Sequence, residues 1–253
     1  MTKYFNVRVF YMAMSHICLK KSLIVLWVFS SLWANAVRSE FVFKGAGRNN
    51  IDVRLTLVKG DITKQGDVDI LVNAANARML GGAGVDGAIH NAAGPQLRQW
   101  IEENIKEISP HVRLALGDVL GTPSFNLKSR GVKMIVHTVG PDCRIKNQRE
   151  NKENYLRRAY QNSLRQVSVI DWHVPQINGH LARGRLKNIA FPSISTGIYG
   201  YPVQEAASLA IQAIGDFIKQ DTFWLDEVRF VLFSDADFAV YERALKDYAI
   251  KHR

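Results

Sequence analysis

The chain has 253 residues, is 47% hydrophobic and carries a formal charge of +10 at pH 7. That balance suits one α/β domain with a well-buried core better than two small ones, and no segment is repetitive or low in complexity. Two cysteines, Cys18 and Cys143, are too few and too far apart for a disulfide framework or a zinc site, and the seven histidines show no H-x-x-x-H spacing, so no cofactor or metal is expected.

Residues 1–36 hold Lys3, Arg8, Lys20 and Lys21 and no acid, so +4 of the charge lies there and +6 beyond. A surplus of that size suits a phosphate-bearing or polyanionic partner, but it also simply keeps a protein soluble. The basic residues are scattered rather than striped, which is weak support for nucleic acid. Lys20-Lys21 precede an apolar run from Leu23 through Phe29 to Trp33, and Ala34-Asn35-Ala36 follows. Basic flank, short apolar stretch and small-x-small site are the parts of a secretory signal peptide. Its roughly 12 apolar-leaning residues fall short of the ~20 a spanning helix needs. A start at Met14 would give it ordinary length. The expectation is therefore a leader over 1–36 and one domain over 37–253, secreted or periplasmic, without stable membrane insertion after cleavage, and monomeric. An organellar presequence, an uncleaved anchor or an untranslated upstream stretch are the competing readings, the last leaving the protein cytoplasmic.

Beyond the leader, strands and helices alternate. Val53, Leu55 and Leu57 mark a half-buried strand, and Asp69–Val72 a buried one that ends in Asn73-Ala74-Ala75-Asn76. A glycine-rich stretch over 81–87 leads into a helix, and Leu97, Trp100, Ile101 and Ile105 mark another. Lys133–Thr138 reads as the third strand, and Tyr155, Ala159, Leu164 and Val167 as a helix face. Residues 169–185, with Pro175, Gly179 and Gly184, read as a long exposed loop. Asn188–Phe191 and Val228–Phe233 supply two more strands, separated by the stripe Ala206, Leu209, Ala210, Ala213, Ile214 and Phe217. Val240, Ala244, Leu245 and Tyr248 close the chain with a helix. Such alternation predicts a mixed, largely parallel sheet covered by helices on both faces, with ligands beyond the carboxyl ends of the strands.

Five segments carry candidate chemistry: Gly60–Thr63, Asn73–Asn76, Gly81–His90, His137–Pro141 and Ser193–Gly200. Gly81, Gly82 and Gly84 let the backbone approach a ligand closely, and the helix after them offers its first N–H groups to phosphate. Ser195, Thr196, Gly197 and Gly200 suit a second phosphate loop, with Tyr199 closing over it. Asp86 and His90, four apart, share one helix face. Each piece alone has a bland reading as well: a connection, a turn, or a capping acid beside an incidental histidine. Asp61 too could simply cap a turn.

Taken together, in this order and spacing, the segments closely resemble the macrodomain family, specifically its MacroD-type branch, from about Val53 to Tyr248. The resemblance implies a three-layer α/β/α sandwich that binds ADP-ribose over the sheet. It implies that Asp61, with the Ile62 backbone, meets the adenine amino group, and that Gly81, Gly82, Gly84 and Val85 on one side and Ser195, Thr196, Gly197, Ile198 and Tyr199 on the other hold the diphosphate. Asn73 counts among the ligand-binding positions. Asn76 is expected on the distal ribose, Asp86 on a water near the anomeric carbon, and His90 as the group orienting Asp86. Two positions depart from the family pattern: Ala83 stands where a further glycine is usual, and the segment Ser234–Phe238 is short, leaving Phe238 as the candidate to stack on adenine.

The resemblance implies a metal-independent hydrolase that acts on O-acetyl-ADP-ribose or removes ADP-ribose from acidic side chains of modified proteins. An ADP-ribose reader without turnover is the alternative, and a nucleic-acid-directed de-ADP-ribosylase has only the basic surplus behind it. Retention of Asn76, Asp86 and His90 favours the enzyme.

Overall fold

Short apolar strands with side chains on both faces must be covered on both sides, and the helices between them are amphipathic enough to do it. The computed structural model describes residues 38–47, 51–170, 186–219 and 225–252. The 1–36 leader with its Ala34–Ala36 site lies outside the described residues, as does all but the first two residues of the expected 169–185 loop.

The sheet has seven strands among the described residues: β1 (Arg38–Gly47), β2 (Ile51–Lys59), β3 (Ile70–Ala74), β4 (Val119–Pro123), β5 (Met134–Thr138), β6 (Asn188–Phe191) and β7 (Glu227–Leu232). Their order is β1-β2-β7-β6-β3-β5-β4. The five central strands run parallel, while β1 on β2 and β4 on β5 are antiparallel edges. Those two edges are additions to the five strands read from sequence. The helices are α1 (Gly84–Ala93), α2 (Pro95–Asn104), the short α3 (Lys146–Glu150), α4 (Lys152–Ile170), α5 (Val203–Ile218) and α6 (Asp235–Lys251). Val169 and Ile170 therefore close α4 instead of opening a loop.

Alternation along each strand sorts the core into two layers. Ile70 and Val72 of β3, Val136 of β5 and Phe230 of β7 point to the side of α4, α5 and α6, whereas Leu71, Ile135 and Val231 point to α1 and α2. The three-layer sandwich expected from the sequence is what forms. On the α4–α6 side, Tyr160, Phe191, Phe230 and Tyr241 pack as tilted or edge-on pairs with ring centroids 4.9–6.1 Å apart.

The connections define where a ligand can sit. From β3 the chain moves outward to β4 and β5, and from β6 it moves the other way, to β7. Neighbours whose connections diverge leave a crevice at their carboxyl ends. Here that crevice lies between the ends of β3 and β6.

Phe230 touches the other three rings of this layer, so Phe230→Ala is expected to cost ~3–5 kcal/mol of unfolding free energy. Urea denaturation measures this; a loss under about 1 kcal/mol would mean that the layer packs without it.

Candidate active site

A cleft of about 300 Å³ opens at that switch point. Three segments form its walls: Ala74–Asn76 at the end of β3, Gly82–Asp86 entering α1, and Ser193–Tyr199 after β6, with Gly140 at the floor. Of the predicted residues, the cleft brings together Asn76, Gly82, Gly84, Val85, Asp86, Ser195, Gly197, Ile198 and Tyr199. Ala83 lines it too, in extended backbone with φ −103°, so this position does not need a glycine. No side chain caps the amino end of α1, so the first-turn N–H groups are left for a ligand or water.

Asp86, in the first turn of α1, is the centre of the polar geometry. Its side chain is buried, yet no Lys or Arg among the described residues pairs with it. Instead Asn73 Nδ2 donates to Oδ1 at 2.8 Å and Asn76 Nδ2 to Oδ2 at 3.0 Å. Asn76 Nδ2 also donates to the Gly81 carbonyl at 2.9 Å, and its Oδ1 accepts from Arg78 N, so the amide orientation is fixed. Burial pushes the Asp86 carboxyl above its ordinary range despite the amide donors. His90 Nε2 lies 3.5 Å from Asp86 Oδ1 but forms no hydrogen bond. Burial outweighs the attraction of Asp86 and lowers the affinity of His90 for a proton. The hydrogen bonds that orient Asp86 come from the asparagine pair, with His90 beside it on the same helix face.

Close approach explains Gly82. A Cβ there would stand 3.1 Å from Asp86 Oδ2 and 3.2 Å from Asn76 Nδ2, inside the space that these groups share. At the floor, a Cβ on Gly140 would collide with Ser195 Oγ. Ser195 holds a positive φ of 68°, uncommon for a residue with a side chain, and its buried Oγ has no hydrogen-bond partner.

The Ser193–Tyr199 loop is held from below. Ile194 N donates to Tyr160 OH at 3.1 Å, Ser193 Oγ pairs with Tyr241 OH at 2.8 Å, and Thr196 Oγ1 donates to Ser193 Oγ at 2.8 Å. Thr196 therefore braces the loop and does not line the cleft. At the rim, the Tyr199 carbonyl accepts from Cys143 N at 2.8 Å, and Arg144, bonded to both oxygens of Asp142, lies 5.7 Å from the Tyr199 ring.

Other predicted residues fall elsewhere. Asn73 is fully buried on β3 and spends its amide nitrogen on protein groups, so it supports the cleft without lining it. Gly81 contributes its carbonyl to Asn76, packs against the His90 ring, and has φ 81°. Asp61 and Ile62 lie after β2, level with the end of β7, where Gly60 N donates to Leu232 O. Asp61 caps a 3-10 turn through Thr63 N and Oγ1 at 2.9 and 2.7 Å. Partial burial works against its charge, but the Thr63 bonds and Lys64 hold the carboxyl below its ordinary value. Phe238 is 7% exposed and packs in the core under α6, so it has no free face for a base. The exposed aromatic at that end is Phe233, 81% accessible, one residue past β7. Sequence reasoning singled out the His137–Pro141 segment without a role for its histidine and missed Thr122; the two reach Asn73 only through the pairing of β3, β5 and β4.

Fold and site together define an α/β protein with a cleft at an uncapped helix end that carries a buried, amide-held carboxylate. The Macro domain profile matches residues 72–210. The chain is 39% identical over 198 residues to the O-acetyl-ADP-ribose deacetylase of Cronobacter sakazakii, covering 77% of this chain and 95% of that protein. It is 35% identical over 201 residues to the ADP-ribose glycohydrolase MACROD2 of Xenopus laevis, covering 79% of this chain and 42% of that one. Among solved structures, the Oceanobacillus iheyensis macrodomain with ADP superposes with a TM-score of 0.70 at 36% identity, covering 87% of this chain and all of that one. This chain belongs to the macrodomain family.

His137 gives a test of the buried network. Burial, with His90 nearby, lowers its pKa from 6.5 to about 3. The unfolded chain therefore takes up a proton there well before the folded one does. Stability from this group is fully present above pH 6.5 and drains away as pH falls toward 3, by up to about 1.4 kcal/mol per pH unit. Urea midpoints near pH 7 and pH 5 should differ less in His137→Gln than in the parent, and equal differences would contradict the burial of a neutral ring.

Proposed function

We propose that the protein is an ADP-ribose-binding hydrolase that cleaves ADP-ribose esters, O-acetyl-ADP-ribose among them. The observation that carries this reading is Asp86: a carboxylate buried beside a phosphate-accepting helix end, made more basic than usual and aimed by two amides. A group that must take a proton from water works best when its pKa approaches the working pH, and burial moves Asp86 that way. The diphosphate would lie between the Gly82–Val85 and Ser195–Tyr199 segments, where backbone N–H groups and the unpartnered Ser195 Oγ supply donors. Asn76 would meet the distal ribose, whose ester then faces a water held on Asp86. For an ester on the anomeric carbon, that water would attack the carbon as the C–O bond breaks and the carboxylate leaves, its proton passing to Asp86. For an acetyl ester on another ribose oxygen, it would add to the carbonyl, and the ribose hydroxyl and acetate part as the acyl C–O bond breaks; neither route needs a covalent intermediate. The names of the two curated relatives, one a deacetylase and one a glycohydrolase, support the same chemistry.

The adenine would lie at the β2–β7 end, between the Asp61 carboxylate and the Phe233 ring. Phe233→Ala is expected to weaken ADP-ribose binding by ~5–10-fold in calorimetry, about what a lost ring stack is worth, while leaving turnover at saturation unchanged. An unaltered dissociation constant would remove Phe233 from the site.

Asp86→Ala and Asn76→Ala are each expected to cut hydrolysis of O-acetyl-ADP-ribose by ~10²–10⁴-fold with the fold retained. In the parent, activity needs the ionised carboxylate, so the rate should fall on the acid side with a midpoint above the ordinary aspartate value of 3.8. Assay of ester hydrolysis with the parent and both variants decides it. Binding of ADP-ribose by the parent without product release would make the protein a reader.

A further inference from the structure

Behind the cleft runs a chain of hydrogen bonds that a ligand never touches. Asn73 Nδ2, besides donating to Asp86, stands 3.1 Å from His137 Nδ1. His137 Nε2 is 2.9 Å from Thr122 Oγ1, which in turn lies 3.3 Å from the Pro123 carbonyl. Asn73, His137 and Thr122 are all buried, on β3, β5 and β4 in turn.

Donor chemistry at Asn73 orders the protons along this chain. An amide NH2 only donates, so His137 Nδ1 must be the bare, accepting nitrogen. The neutral ring then carries its proton on Nε2 and donates it to Thr122 Oγ1, whose own hydrogen is left for Pro123 O. Asn73 Oδ1 is the informative exception: it is buried and accepts nothing. The amide is therefore not turned to satisfy its oxygen. It is turned by the two acceptors, Asp86 Oδ1 and His137 Nδ1, that face its nitrogen. Were His137 to carry its proton on Nδ1, two donors would face each other, and the flipped amide would set its oxygen against the Asp86 carboxylate.

We infer that His137 and Thr122 are positioning residues for Asp86: the Asn73 amide requires a bare Nδ1 on His137, Thr122 Oγ1 accepts the Nε2 proton which that tautomer carries, and the ring so held keeps the Asn73 amide nitrogen on the carboxylate that the cleft presents to substrate. This rests on the hydrolase reading above. Removing the threonine hydroxyl costs Asn73 its orientation and Asp86 a donor, so the carboxylate becomes harder to ionise and turns from its aim. The other titratable groups around Asp86 are His90 on its own helix, Tyr199 from the loop after β6 and His137 from β5, while Arg98 of α2 acts on His90.

The test compares the parent with Thr122→Val, which removes the hydroxyl, and Thr122→Ser, which restores it. Nitrogen-15 NMR of the labelled protein should show His137 as the Nε2–H tautomer in the parent and the serine variant, and a mixture in the valine variant. Turnover of O-acetyl-ADP-ribose should fall about tenfold in Thr122→Val, roughly one well-made hydrogen bond's worth, with the acid-side midpoint of kcat moved to higher pH. Calorimetric affinity for ADP-ribose should stay within about twofold, and Thr122→Ser should recover both rate and midpoint. A valine variant with the parent's tautomer, rate and midpoint overturns the inference. So does a serine variant as slow as the valine one, since that reports packing alone. If the parent itself hydrolyses no ester, the hydrolase reading fails, and the tautomer spectra still decide whether Thr122 holds the ring.

Discussion

A carboxylate taken out of water without a cation beside it must be held by hydrogen bonds or lose its charge. Asp86 is held by two amides, from Asn73 inside β3 and from Asn76 just beyond it, and nearly everything around the cleft follows from that. The β3 strand has to end where it does so that one asparagine remains in the sheet and the other turns into the cleft. A side chain at Gly82 would press on the Asn76 amide and the carboxylate, which stand 3.2 and 3.1 Å from where its Cβ would sit. Two donors keep the group ionisable while burial keeps it basic, a balance that a salt bridge would tip toward permanent charge.

The opposite wall is built on different physics. The Ser193–Tyr199 loop lies over an aromatic layer, and two of those rings also carry its polar contacts: Tyr160 accepts from Ile194 N, and Tyr241 pairs with Ser193. The residues that pack the α4–α6 side thus set the height of the loop that faces Asp86. Ser195 takes a left-handed backbone there and leaves its buried hydroxyl without a hydrogen-bond partner among the described residues. One wall is a glycine-rich backbone at a helix end, tied through Asn76, and the other a loop clamped from beneath, so the shape of the cleft is set by the fold.

The sequence and the structure diverge where pairing, not pattern, makes the element. β4, with Gly121 and Pro123 in five residues, has no strand signature of its own and exists because β5 offers it a partner. The β1 strand follows directly on the basic-apolar leader, whose composition masks the alternation of Phe41 and Phe43. Phe238 and Phe233 show the same limit at the site. Both lie where an aromatic was expected, but helical phase turns one into the core, and the end of β7 leaves the other in solvent.

Local chemistry was legible in the chain itself. The glycine-rich entry to α1, the asparagines after β3, the serine-glycine loop after β6 and the apolar periods of five strands and four helices all state their roles through spacing, because backbone freedom, capping and periodicity act over a few residues. Which buried groups meet was decided by the sheet. Asn73 faces His137 only because β3 and β5 pair in that register, and Thr122 completes the chain only because β4 runs back along β5. Register between strands is set by contacts distant in sequence, and no local window contains them.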